Sequence, residues 1–355
     1  MDLKELGWND FQKNHSENYQ YNNALLGRIC SEYRNSYKIF SENGELTASI
    51  SGKLRNNCKN LQDYPAVGDW VKFDLIENEN KAIIQSILPR KSKFSRKVAG
   101  DSTQEQIIAT NIDTAFIVCA LNYDFSLRRI ERYLSLIWQS GSNPVIVLTK
   151  LDLCHDPASK LSEVQAIAFG VDIHLINNLT NDGTEELYQY CRQGNTIVLL
   201  GSSGAGKTSL INNLLGDNKL KVQSLRKNIE KGKHTTTHRQ MFFLPQGGLI
   251  IDTPGMRELQ LWNAEEGVSC CFDDIEMLAK NCRFNNCNHQ NEPDCAVKEA
   301  LENGNLDVKR FENYIKIQKE LAYLSRQQNQ YEAQLEKEKW KKISKQCKQL
   351  KNSDN

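Results

Sequence analysis

The eight residues Gly201-Ser202-Ser203-Gly204-Ala205-Gly206-Lys207-Thr208 fit the pattern GxxxxGK[ST]. They restrict what this chain can fold into more than any other feature does. The apolar run Thr196–Leu200 precedes them, and Ser209–Leu215 reads as a helix after them. A strand that runs into a glycine loop and then a helix needs a parallel sheet around it. Three more apolar runs of buried-strand type supply one: Thr114–Leu121, Pro144–Leu148 and Gly248–Ile251, with Arg128–Gln139 as a helix between the first two. The predicted class is therefore multidomain α/β, with a doubly wound sheet at its centre. The three glycines let the backbone wrap tightly, so that its N–H groups point at an anion at a helix N-terminus. Lys207 is predicted to reach terminal phosphates and the Thr208 hydroxyl to hold Mg²⁺. Ser209 completes the phosphate-binding set.

Two further motifs give the ligand, and their order gives the topology. Asp252-Thr253-Pro254-Gly255 lies 44 residues beyond Thr208, at the end of an apolar run. It reads as a DxxG loop, with Asp252 on Mg²⁺ through water and the Gly255 N–H on a γ-phosphate. Thr149-Lys150-Leu151-Asp152 follows Val145–Leu148. Asp152 there accepts both N–H groups of a guanine edge, and the Lys150 stem packs along the base. Adenine presents an acceptor where guanine has N1–H, so a fixed carboxylate discriminates between them. Thr149 stands where Asn is usual. The second base-side loop, ordinarily Ser-Ala, falls at Asn177-Asn178-Leu179-Thr180, which departs from that pattern. GTP and GDP are the expected ligands. An ordinary GTPase has the guanine-reading element last, whereas here it comes first, as in a GTPase sequence cut and rejoined elsewhere.

Between the phosphate loop and Asp252, Lys231-Gly232-Lys233-His234-Thr235-Thr236-Thr237-His238 suits a mobile switch. Thr236 is expected to complete the Mg²⁺ shell. The residue after DxxG, commonly a water-orienting Gln, is Met256, so His234 is the candidate catalytic residue. The plainer readings are a β-rich loop with incidental hydroxyls, and a His234 that faces solvent or contacts RNA.

Net charge is +1 over 355 residues, so no global field marks a nucleic-acid binder. Basic residues cluster locally instead. Arg90, Lys91, Lys93, Arg96 and Lys97 form one group; Lys219, Lys221, Arg226, Lys227, Lys231, Lys233 and Arg239 form another; seven lysines fall between Lys337 and Lys351. Each is either a solvated face or an RNA contact. The charged N-terminus has no signal-peptide core, and the apolar runs are too short to span a bilayer. Eleven cysteines, an odd number, point to a reducing compartment, the cytoplasm.

Three blocks follow along the chain: 1–96, 97–264 and 265–355. The first carries short strands at Ala24–Ile29, Tyr37–Phe40, Leu46–Ser51, Trp70–Leu75 and Ala82–Leu88, with Ala48, Ile50, Gly52 and Leu54 alternating with polar residues. Five short strands fit a small barrel such as an OB-fold, or another small β-fold. The third carries Cys282, Cys287, His289 and Cys295, spaced C-x4-C-x-H-x5-C. Three thiolates and an imidazole make a closed tetrahedral site for one structural Zn²⁺, with no open position for catalysis. A helical stretch starts near Leu306.

With these residues in hand, the chain resembles the RsgA (YjeQ/YloQ) family, circularly permuted GTPases of small-ribosomal-subunit assembly. The TKLD–GSSGAGKTS–DTPG order, KGKHTTTHR, CRFNNCNHQNEPDCAVKEAL and ELAYL at Glu320–Leu324 carry the resemblance over nearly the full length. It implies an OB-fold RNA-binding domain, a permuted GTPase domain and a zinc-binding helical C-terminal domain. It also implies binding to the small subunit and its rRNA, late subunit maturation, and hydrolysis stimulated by the subunit. The chain is expected to act as a monomer off the membrane. The alternative is a GTP-dependent regulator of a protein partner without rRNA contact.

Overall fold

Apolar runs of strand length form the centre of the molecule. A computed structural model describes residues 1–16, 25–33, 36–76, 79–97, 105–216, 239–252, 264–290 and 292–326. Within them, β8 (Thr114–Ala120) is buried at every position, as a parallel strand covered on both faces must be. Around it lie β9 (Asn143–Thr149), β10 (Asp172–Leu175), β11 (Thr196–Leu200), β12 (Gln240–Phe243) and β13 (Leu249–Asp252). Their order is β10-β9-β8-β11-β13-β12. All neighbours are parallel except β12, which pairs antiparallel with β13. The strand that feeds the glycine loop is thus central, although it comes fourth of the six in sequence. Helix α3 (Leu127–Ser140) packs beside β8 and β9 and ends on Gly141 at φ 83°.

The N-terminal block is a closed five-stranded barrel. Strand β1 (Leu25–Tyr33) pairs antiparallel with both β2 (Ser36–Ser41) and β4 (Trp70–Leu75). Strand β3 (Gly44–Ile50) pairs antiparallel with β2 and parallel with β5 (Lys81–Ile87), and β5 pairs antiparallel with β4. That circuit is an OB-fold. In β3, Leu46 and Ala48 are buried while Glu45, Thr47 and Ser49 are exposed. The alternation read through Leu54 stops at Ile50. The Ser51 side chain accepts the Leu54 N–H and starts a short helix, α2 (Gly52–Asn57), because an N-cap hydroxyl competes well with one more strand residue.

Barrel and sheet are continuous, since β1 meets β12 at Ser31 and Gln240. A hairpin not foreseen from the sequence, β6 (Lys93–Lys97) with β7 (Glu105–Thr110), adds Phe94 and Ile108 to the core that barrel and sheet share. The N-terminal residues lock the same junction. Leu6 is buried, Trp8 sits edge-on to Trp70, and helix α1 (Asp10–Ser16) follows. Beneath them the buried Arg28 guanidinium donates to the carbonyls of Leu6, Gly68 and Asn111 and to Thr196 Oγ1.

The C-terminal part is helical: Glu265–Cys271, Asp273–Ala279, Ala296–Glu302 and 308–326. It docks on α3. Gly267 lies so close that a Cβ there would be 2.0 Å from the Ser135 carbonyl oxygen. Buried Glu131 of α3 accepts from Arg310 at 2.6 Å and Asn313 at 2.5 Å, and Arg132 grips Glu320 with two bonds of 2.7 Å.

Candidate nucleotide site and metal cluster

Loop 201–206 leaves the end of β11 and enters helix α4 (Lys207–Leu215). Its glycines answer to specific neighbours. Gly201 has φ 145° and a Cβ there would meet the Val118 carbonyl at 2.2 Å; Gly206 has φ 94° and would meet Asn178 Nδ2 at 2.6 Å. Lys207 Nζ donates to the carbonyls of Gly201 (2.6 Å) and Ser202 (2.5 Å), which keeps the ammonium over the loop. Thr208 and Ser209 lie exposed in the first turn of the helix. Asp252, at the end of β13, is half-buried; desolvation raises its pKa, and the nearby Lys207 charge opposes the rise. Lys207, Thr208 and Asp252 thus bring a cation, a hydroxyl and a carboxylate to one end of the parallel sheet, where such folds bind ligands.

The stretch Thr149–Asp152 leaves β9 on the same side. Lys150 takes a left-handed turn at φ 59°, and Asp152 lies exposed on the short 3-10 turn Leu151–Leu153. Thr149 is the last residue of β9. Its side chain is buried, and its hydroxyl donates to the Ala205 carbonyl at 2.6 Å, tying the base loop to the phosphate loop across β8. Asn178 sits over the same loop: its Nδ2 donates to the Gly206 carbonyl at 3.3 Å, and its own carbonyl accepts from Asn213.

Cys282, Cys287, His289 and Cys295 form one cluster, with their ligand atoms within 4.8 Å of one another. Left-handed backbone at His289 (φ 59°) and Asp294 (φ 53°) turns the loop inward. Cys295 caps the helix that follows, its sulfur accepting the Lys298 N–H. Burial pushes the Cys282 thiol up, but the N–H groups of Val297 and Ala296 and the neighbouring thiols bring it below its ordinary value. Burial also lowers the His289 pKa, favouring neutral imidazole. The Cys287 thiol moves the other way, pushed up to about 11 by desolvation and by the neighbouring Cys295 and Cys282, so the case for a metal rests on the geometry: the four residues could hold an ion.

A family model described as RsgA GTPase matches residues 87–262, and one described as 50S ribosome-binding GTPase matches residues 196–337. A protein of Oceanobacillus iheyensis named small ribosomal subunit biogenesis GTPase RsgA 1 is 44% identical over 97% of this chain and 99% of its own length. The chain belongs to the RsgA family of GTPases. The Opitutus terrae protein named small ribosomal subunit biogenesis GTPase RsgA is 42% identical over 97% of this chain and 96% of its own length. YjeQ from Thermotoga maritima superposes with a TM-score of 0.62 at 27% identity, covering 84% of this chain and 98% of that one. YloQ, described as a circularly permuted GTPase, has the same fold, with a TM-score of 0.61 at 22% identity over 88% and 98%.

Within this RsgA-family frame, the structure brings the residues 201–209, 149–152 and Asp252 to one face. Gly255, His234 and Thr236 lie outside the described residues, as do Met256, the basic residues from Lys219 to Lys233 and the lysine-rich tail. The first basic cluster is not a free cationic face. Arg90 forms an ion pair with the buried Asp69, Lys91 with Asp113 and Lys93 with Glu105, while Arg96 donates to Gln106. Acidic partners 12 to 22 residues away offset three of these charges, while Arg96 keeps its charge against a neutral amide. Sequence reading also missed Asp124, in the turn between β8 and α3, which takes the Ser202 hydroxyl at 2.5 Å and two bonds from Arg129 at 2.7 and 3.0 Å. No motif flags it, because the contact joins residues 78 positions apart. Among the described residues, no helix is long and apolar enough to cross a membrane.

Proposed function

We propose that this chain hydrolyses GTP on the small ribosomal subunit, contacting its rRNA and assisting its late maturation, with turnover stimulated by the subunit. One observation carries the reading: near-full-length similarity to proteins named for small-subunit biogenesis, on a chain whose phosphate and base loops converge. The words "50S ribosome-binding" belong to a model that matches only from the phosphate-loop strand onward, so they weigh less. In this reading Gly201–Ser209 cradle the phosphates, Asp152 reads guanine beside Lys150 and Leu151, and Thr208 and Asp252 serve Mg²⁺ with Thr236. The Gly255 N–H meets the γ-phosphate, and His234 orients the attacking water in place of a Gln at Met256.

Zinc is the metal that suits the cluster. A tetrahedral ion with bonds of about 2.3 Å to sulfur and about 2.05 Å to nitrogen separates sulfurs by about 3.8 Å and sulfur from nitrogen by about 3.6 Å. Cys282 Sγ lies 3.8 Å from Cys295 Sγ and 3.6 Å from His289 Nδ1, and the His289–Cys295 separation is 3.4 Å. Four protein donors leave no open position, so the metal orders a loop of low burial rather than reacting. None of the ten described cysteines forms a disulfide, which supports a reducing compartment, the cytoplasm; the chain acts there as a monomer in this reading.

The test is single-turnover GTP hydrolysis with and without saturating small subunits. Wild type is expected to accelerate on the subunit, and His234→Ala to keep GTP affinity but lose the acceleration. Wild type without acceleration refutes the partner-stimulated reading, and His234→Ala matching wild type removes the role given to His234. Copurification with the subunit that weakens as salt rises supports rRNA contact.

A further inference from the structure

We propose that Asp124 is a positioning residue for the phosphate loop: its carboxylate clamps the Ser202 side chain and is itself held by Arg129 at the start of α3. Strand β8 ends at Ala120, and an Asn122 side chain that accepts the Asp124 N–H forms the turn that aims Asp124 at the loop. Both carboxylate oxygens are used, Oδ2 by Ser202 and Arg129 Nη1, and Oδ1 by Arg129 Nη2. The hydrogen bonds from Arg129 and then Ser202 hold this carboxyl below the usual range, with Lys150 adding to the effect.

A local pair between Asp124 and Arg129 needs no serine, since five residues of turn and helix already bring them together. The bond to Ser202 reaches across 78 residues into the glycine loop. Ser202 is fixed at two points: its hydroxyl on Asp124 and its carbonyl under Lys207 Nζ. The flanking Gly201 and Gly204 have positive φ and little intrinsic stiffness, so the loop gains its shape from such ties. A loop held in its phosphate-accepting form before the ligand arrives binds more tightly, because less ordering is left to the binding event. Arg129 is needed because an unpaired carboxylate beside the phosphates would repel them. Asp124 therefore acts through Ser202 on phosphates common to GDP and GTP, and both nucleotides should feel its loss equally.

The inference rests on residues 201–208 being the phosphate loop, and it is read without ribosomes, so it stands apart from subunit stimulation. Fluorescent GDP and GTP analogues are titrated into the full-length chain. Asp124→Ala and Ser202→Ala are each expected to weaken both nucleotides by about five- to tenfold, the scale of one partly exposed charge-assisted hydrogen bond. The double variant should be no weaker than the worse single to within about twofold, since the residues act as one unit. Ser202→Thr, which keeps the hydroxyl, should recover affinity. Wild-type affinity in Asp124→Ala, additive losses in the double variant, or a loss confined to GTP overturns the assignment. Absence of GDP binding by the wild type overturns the phosphate-loop reading and the role of Asp124 with it.

Discussion

Replacing Thr149 with Val should weaken nucleotide binding without changing which base is bound. Val keeps the volume and strand preference of Thr but has no hydroxyl. Thr149 is fully buried, and its Oγ1 donates to the Ala205 carbonyl at 2.6 Å; its approach to the Cys119 carbonyl, at 3.5 Å, is too long to count for much. One neutral hydrogen bond is lost and the carbonyl of the buried Ala205 is left short of a donor, at a cost of about 1–2 kcal/mol. The bond is present without nucleotide, so part of the loss falls on the free fold. The remainder, bounded by about 2 kcal/mol or roughly thirtyfold in Kd, falls on GDP and GTP alike. Asp152→Ala is the contrasting variant. It should cost guanine nucleotides about 2 kcal/mol or more, because a charged acceptor for two donors is gone, and it should narrow the preference for GTP over ATP. Isothermal titration of GDP, GTP and ATP against both variants separates the roles. A Thr149→Val protein that discriminates less well against ATP would refute the tie-bar role for Thr149. So would one with unchanged melting temperature and unchanged GDP affinity.

Arg310→Ala should destabilise the fold by about 3–5 kcal/mol at neutral pH, because it strands the buried Glu131 carboxylate. Desolvation already raises the Glu131 pKa, with Arg310 and Asn313 opposing the rise. Any stability from a raised folded pKa is full below the ordinary glutamate value and lost as pH rises through the folded one. Without Arg310 that folded pKa climbs further, so the deficit against wild type should shrink as pH falls from 7.5 towards 5. Adding Glu131→Gln should recover much of it at neutral pH; denaturant unfolding across pH checks both. Cys287→Ser should lower bound metal below one ion per chain, as measured by elemental analysis of the purified protein, and should expose the C-terminal region to protease. Full stoichiometry with an intact fold would exclude Cys287 as a ligand.

What the sequence determined is what short-range chemistry controls. The buried runs Thr114–Leu121 and Thr196–Leu200 have one stable use, as strands covered on both faces. Glycine spacing around Lys207 and thiol spacing around His289 each specify a local shape that few other residues allow, and so the permuted motif order could be read directly. Tertiary structure decided which groups meet across the chain. Thr149 looked like part of a base-binding motif, and only the placement of β9 beside β8 showed its hydroxyl on Ala205. Arg90, Lys91 and Lys93 looked like a cationic patch until Asp69, Asp113 and Glu105 arrived beside them. Asp124, Glu131 and Arg310 carry no motif, because their partners come from other segments of the fold. Side-chain pairing energies depend on distance in space, which sequence separation does not set; backbone conformation depends on nearest neighbours, which the sequence states outright.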